Sequence, residues 1–134
     1  MRFLIDNAIS YRIALSLAPL VEVDGHEVVA LRAKFSPDEA DRIWLPRLRE
    51  EDRGWVIITA DLGRKDGDRQ AWLTSGLTVF FLANAWSSGA FKLTDISQRL
   101  LKYWPKIAET ASTCRPGSCF DLGIQGRITK ARLR

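Results

Sequence analysis

Four short apolar runs punctuate the chain: Phe3 to Ile5, Val28 to Leu31, Val56 to Ile58 and Val79 to Leu82. Each is continuous rather than alternating, which is how strands covered on both faces read. Segments with helical spacing separate them. Ser10 to Leu20 is the first. The second opens at Ser36-Pro37-Asp38-Glu39, with Ser at the N-cap, Pro at the first helical position and Glu at the third. Asp68 to Ser75 is a short third. Strands and helices taking turns in this order predict an α/β fold, a mostly parallel sheet with helices on both faces.

The pattern changes after Leu82. Ala83 to Phe91 reads as loop. Thr94 and Asp95 then start a helix with Ile96, Leu100, Trp104, Ile107 and Ala111 at near-helical spacing, which Pro105 should end or kink. From about Cys114 a basic tail follows. Its Phe120 to Ile124 alternation fits an added edge strand and brings the expected count to four or five. With 134 residues and no repeat or internal linker, one domain over 1–134 is expected.

Composition narrows the function classes. Apolar residues make up 46% and charged residues 27%, which is globular rather than disordered. No apolar stretch approaches the ~20 residues that span a bilayer, and the run before Asp6 is too short for a targeting segment. A cytoplasmic protein with no membrane contact is expected. There Cys114 and Cys119 read as free thiols, with no disulfide. The lone His26, in a turn before the second strand, reads as structural. The net charge is +4. Much of the positive charge falls in the last twenty residues and in Arg47, Arg49, Arg53, Arg64, Lys65 and Arg69. Such groups suit a polyanion, although solvated surface explains any one of them.

The candidate chemistry lies in the aspartates. Asp6 follows the first strand and Asp61 the third. The carboxyl ends of parallel strands share one edge, where ligand sites form. Either acid alone reads better as a turn former or helix cap; the pair favours function. Asp41 shares spacing i, i+3, i+4, i+7 with Trp44, Leu45 and Leu48, which puts a carboxylate on the apolar stripe of its helix. A buried carboxylate requires a cation, either a metal or an arginine. Asp68, with Asp66 nearby, is either a further ligand or a helix cap. Clustered carboxylates repel one another unless a hard cation such as Mg²⁺ or Mn²⁺ holds them together. The chemistry then available is hydrolysis of a phosphodiester by activated water.

At these residues a resemblance becomes visible. The runs FLIDN (Phe3 to Asn7), GHEVV (from Gly25), DRIWLPRL (from Asp41) and GWVIITAD (ending at Asp61) resemble PIN-like domains. The nearest variety is the group associated with VapC-type toxins. DRQAW (from Asp68), SGLTVFFL (from Ser75) and WPKI (from Trp104) extend the similarity over nearly the whole chain. The resemblance implies a three-layer α/β/α sandwich and a Mg²⁺- or Mn²⁺-dependent endoribonuclease. It implies metal-binding acids at Asp6, Asp41 and Asp61. Toxin members are paired with an antitoxin that blocks the site, and many PIN domains dimerise. At Asp68 the group would carry glutamate, so the side chain here has a shorter reach. Asn7 either orients water or holds the turn.

Arg47, Arg64, Lys65 and Arg69 are the expected phosphate contacts on RNA. Two other readings compete. A catalytically silent module on the same fold would bind RNA or a protein through the arginines. A receiver-type phosphoacceptor would also place acids at strand ends. That pattern wants Ser or Thr where Asn84 stands and a Lys-Pro pair that the chain lacks, and it leaves Asp41 unexplained.

Overall fold

The computed structural model describes residues 1–60 and 68–131; the side chains of Asp68 and Arg69 lie outside the description. Six strands form one sheet: β1 (Arg2–Ile5), β2 (Glu27–Ala30), β3 (Val56–Thr59), β4 (Thr78–Leu82), β5 (Cys119–Leu122) and β6 (Ile128–Lys130). Their spatial order is β2-β1-β3-β4-β5-β6. All neighbours are parallel except β5 and β6, which pair antiparallel. Four helices cover the sheet: α1 (Tyr11–Val21), α2 (Asp41–Glu51), α3 (Asp68–Leu73) and α4 (Leu93–Thr113).

Alternation along the strands divides the core in two. Phe3, Ile5, Val56, Ile58, Phe80 and Leu82 face α1 and α4. Leu4, Ile57, Val79 and Phe81 face the other way, against Trp44, Leu45 and Leu48 of α2 and Trp72 of α3. The sheet is therefore the middle layer of an α/β/α sandwich. The continuous apolar runs reflect this double burial: every residue of β3 and β4 is buried. On the α2 side, ring centroids of Trp44 and Trp72 lie 5.4 Å apart and those of Trp72 and Phe81 6.4 Å apart. On the opposite side, Phe3 lies 4.6 Å from Trp104.

The chain steps from β1 to β2 with its helix on one face, then from β2 to β3 and β4 in the other direction with helices on the opposite face. These crossovers share one hand. The β4–α4–β5 connection moves in the direction of β3 to β4, yet α4 packs beside α1, so its hand is the reverse, an uncommon arrangement.

Several local expectations change. The second helix begins at Asp41, with Ala40 at its N-cap, and not at Pro37. Ser36 instead organises a turn: its carbonyl accepts from Glu39 N–H at 3.1 Å and its hydroxyl from Asp38 N–H at 3.4 Å. A capping signature served a turn because Ser competes for local backbone donors in both settings. Pro105 does not end α4, which runs 21 residues. Trp104, Ile107, Ala108 and Ala111 are buried around it, and that packing outweighs one missing hydrogen bond. Asp95 accepts from the Lys92 N–H at 2.8 Å at the start of that helix. The described stretch after Cys114 carries two strands. Its strand β5 pairs between β4 and β6, so the described residues form a six-stranded sheet where four or five strands were expected. Lys106 and Arg99 pin the β5–β6 turn by donating to the Gly126 and Ile124 carbonyls at 2.7 and 2.8 Å.

Cys114 and Cys119 are free thiols. His26 is half-buried, edge-on to Phe3 at 5.7 Å; its burial lowers the imidazole pKa below the ordinary value. Among the described residues no helix is long and apolar enough to cross a membrane.

Candidate functional site

The direction of the chain reverses between β1 and β3. One connection leaves β1 towards β2 over the α1 face, and the next returns past β1 to β3 over the α2 face. A crevice opens outside the carboxyl ends of strands at such a switch point. Asp6 is the first residue beyond β1, and its backbone N–H continues the ladder to the Ile58 carbonyl at 3.0 Å. The residue is only 5% exposed. Thr59, the last residue of β3 and fully buried, donates its hydroxyl to Asp6 Oδ2 at 2.8 Å.

Alternation decides which way this pair points. Leu4 and Ile57 face the α2 layer, so Asp6 and Thr59, each two residues further on, face it as well. The amino end of α2 lies at the same edge. The helix ends beside the start of β1, where Arg2 bridges Glu51 and Asp52 at 3.3 and 3.6 Å. Its 11 residues rise about 16 Å, enough to bring Asp41 back to the carboxyl edge. Asp41 is the first residue of that helix and half-buried, not one turn inside it as the helix start at Pro37 implied. There the helix dipole favours a negative charge. Trp44 donates its indole N–H to Asp41 Oδ1 at 3.1 Å. The residue that looked like one more position on an apolar stripe therefore orients the acid as well.

Asp61, Arg64, Lys65 and Asp66 lie outside the described residues. The backbone of Asp68 begins α3. Among the described residues no group of three His, Cys, Asp or Glu side chains stands ready to hold a metal, so what the structure supplies is Asp6 and Asp41. Their donor chemistry fits a hard cation, since both offer carboxylate oxygens, and each has one oxygen oriented by a neutral donor, Thr59 for Asp6 and Trp44 for Asp41. Asn7 is exposed in the turn after Asp6. Arg47 is exposed on α2 and donates to Glu39 Oε1 at 3.1 Å.

Thr59 escaped the sequence reading because a threonine in an apolar run reads as strand. Its place at the strand end, beside a strand that ends in an acid, was the available signal.

Fold and site together define a doubly wound α/β protein with a buried carboxylate at its switch point. A family model described as a PIN like domain matches residues 1–84, well over half of the chain, and the protein belongs to that family. PIN domains are generally nucleases. The match ends just beyond β4, so α4, β5 and β6 lie outside it. Neither the curated proteins nor the solved structures contain a match to the chain.

Proposed function

We propose that the protein is a metal-dependent endoribonuclease. The observation that carries this reading is the buried Asp6 carboxylate, held by Thr59 at the β1/β3 switch point of a PIN-like fold. Asp6, Asp41 and Asp61 would hold Mg²⁺ or Mn²⁺, with Asp68 as a further acid. A bound divalent cation would supply the positive charge that activates water and stabilises a leaving oxygen. The residues of the chain do the positioning. Thr59 fixes one oxygen of Asp6 and Trp44 one oxygen of Asp41, so neither carboxylate has to be reoriented on binding. Arg47, Arg64, Lys65 and Arg69 are the proposed contacts to RNA phosphates.

The reading extends to the toxin of a toxin–antitoxin pair of the VapC type, acting in the cytoplasm, with an antitoxin covering the site and a homodimer as its assembly. Exposed Leu15, Leu20 and Val23 on and just after α1 offer apolar surface for either protein contact.

The test is incubation of the protein with labelled RNA, with Mn²⁺ and with chelator, for the wild type and Asp6→Asn. Metal-dependent cleavage by the wild type and loss of about 10²-fold or more in the variant are expected, as for removal of a group that stabilises the transition state. Equal cleavage by both proteins, or cleavage in the presence of chelator, refutes it.

A further inference from the structure

The cations of the described residues are engaged in different ways. Arg47 is paired with Glu39, while Arg2 and Lys34 are engaged by Glu27, Glu51 and Asp52. Arg12 and Arg32 are set apart by what holds them. Both are exposed, and among the described residues neither is paired with a carboxylate. An aromatic ring holds both. Arg32, in the 3₁₀ turn that follows β2, lays its guanidinium over the Tyr11 ring at 4.1 Å. Arg12 lies 5.7 Å from the same ring and directs Nε to the Tyr11 hydroxyl at 3.5 Å. Tyr11 is half-buried against the core, so it is a fixed platform rather than a mobile side chain.

The platform also has a definite place. Tyr11 is the first residue of α1, with Ser10 as the N-cap accepting from the Arg12 N–H at 3.3 Å. The connection from Asp6 to Tyr11 is only four residues long, and the Ile9 N–H donates to the Asp6 carbonyl at 3.0 Å. The platform therefore flanks the switch-point crevice on the α1 side, across the sheet edge from Asp41. The Arg12 hydrogen bond, with the charges of Arg12 and Arg32 behind it, lowers the phenol pKa below its ordinary value.

We infer that Tyr11, Arg12 and Arg32 form a phosphate clamp that grips the backbone of a single-stranded RNA lying across the Asp6 site. The inference rests on the ribonuclease reading and deepens it. Two cations held without a carboxylate partner suit an anionic ligand. A polynucleotide strand reaching the Asp6 carboxylate has phosphates on either side of the scissile one, and a clamp on the flank of the crevice takes one of these. The aromatic ring fixes the guanidiniums at little entropic cost, so less is lost when the phosphates arrive. Tyr11 is then a positioning residue, and the arginines are the contacts.

The test measures affinity of a fluorescein-labelled single-stranded RNA between 50 and 200 mM salt, in chelator so that no cleavage occurs. Two phosphate contacts contribute about 1.4 to the slope of log K against log salt for a single strand. The Arg12→Gln, Arg32→Gln double variant is therefore expected to bind more weakly and to flatten the slope by about 1.4, so that its affinity falls about sevenfold less than that of the wild type over this range. Both side chains are exposed, so the variant should keep its fold, which circular dichroism checks. Tyr11→Phe, which keeps the ring under Arg32, should stay near the wild type, whereas Tyr11→Leu should weaken binding. Wild-type RNA binding with an unchanged slope in the double variant overturns the clamp and leaves the ribonuclease reading standing. Tyr11→Leu binding as the wild type does overturns the role given to Tyr11. Absence of any salt-dependent RNA binding by the wild type overturns the clamp together with the reading beneath it.

Discussion

Replacing Thr59 by valine removes one hydroxyl from the site and almost nothing else. Thr59 is fully buried, and valine has nearly its shape, so no cavity is opened. With it goes the donor to Asp6 Oδ2 at 2.8 Å. A hydrogen bond to a charged partner contributes about 1.5–3 kcal/mol, roughly twice a neutral one. Both ends lie away from water, with Asp6 5% exposed, so solvent cannot replace the donor. The single substitution mixes this loss with every other change at the position. A double-mutant cycle isolates it: wild type, Thr59→Val, Asp6→Ala and the double variant, each unfolded in urea without added metal. The cavity left by Asp6→Ala appears on both sides of the cycle and cancels. The coupling energy should be about 1.5–3 kcal/mol in favour of the pair. A coupling below about 0.5 kcal/mol, the error expected for independent sites, would show that Thr59 does not hold Asp6 and would remove the orienting role assigned to it.

Two further predictions concern the frame around the site. Trp72 is fully buried between Trp44 and Phe81 and docks α3 against the sheet, so Trp72→Ala should cost about 3–5 kcal/mol and lower the melting temperature by about 10 °C or more; a loss under about 1 kcal/mol would contradict that packing. Trp72→Phe should cost much less, because it also removes an indole N–H that has no hydrogen-bond partner. Glu51 is held below the ordinary carboxylate value by its hydrogen bond from Lys34, which with attraction from Lys34 and Arg2 outweighs the opposing desolvation. Its stabilisation is therefore present above the ordinary carboxylate pKa and is lost as pH falls through the lowered one. Glu51→Gln should cost at most about 1 kcal/mol at neutral pH, as for exposed pairs. That difference should disappear in urea melts at acidic pH; a cost that persists there would rule out the ionic origin.

Much of the frame is legible in the sequence, for a physical reason. The four apolar runs lie within a residue or two of β1 to β4, because strands buried on both faces have no polar side to obscure them. Edges are less visible. Phe120 to Ile124 alternates like a surface strand, but Cys119–Leu122 pairs between β4 and β6, and only the tertiary arrangement of α4 decides that. The start of α2 was misplaced by one turn because Ser36 caps a turn with the chemistry that caps a helix. The true start puts Asp41 at the first helical position. Its apolar-stripe spacing survives, but the acid sits at the helix terminus, oriented by Trp44 three residues on. Asp6 was readable because a carboxylate directly after a buried strand is an abrupt change. Thr59 was not, because its hydroxyl matters only once β1 and β3 are neighbours. The Tyr11 platform joins residues from two connections that meet only in the fold.

The proposal that Asp6 helps hold a divalent cation is tested most directly by titrating Mn²⁺ into the wild type and into Asp6→Asn, following the heat of binding. Asn7, next in sequence, serves as a control through Asn7→Ala, since it lies exposed in the turn. One site in the wild type, weakened at least about tenfold in Asp6→Asn and by a smaller factor in Asn7→Ala, is predicted, since even partners behind the ligands cost 10–100-fold when removed. Wild-type protein that takes up no Mn²⁺, or Asp6→Asn that binds it as tightly as the wild type, would contradict the account.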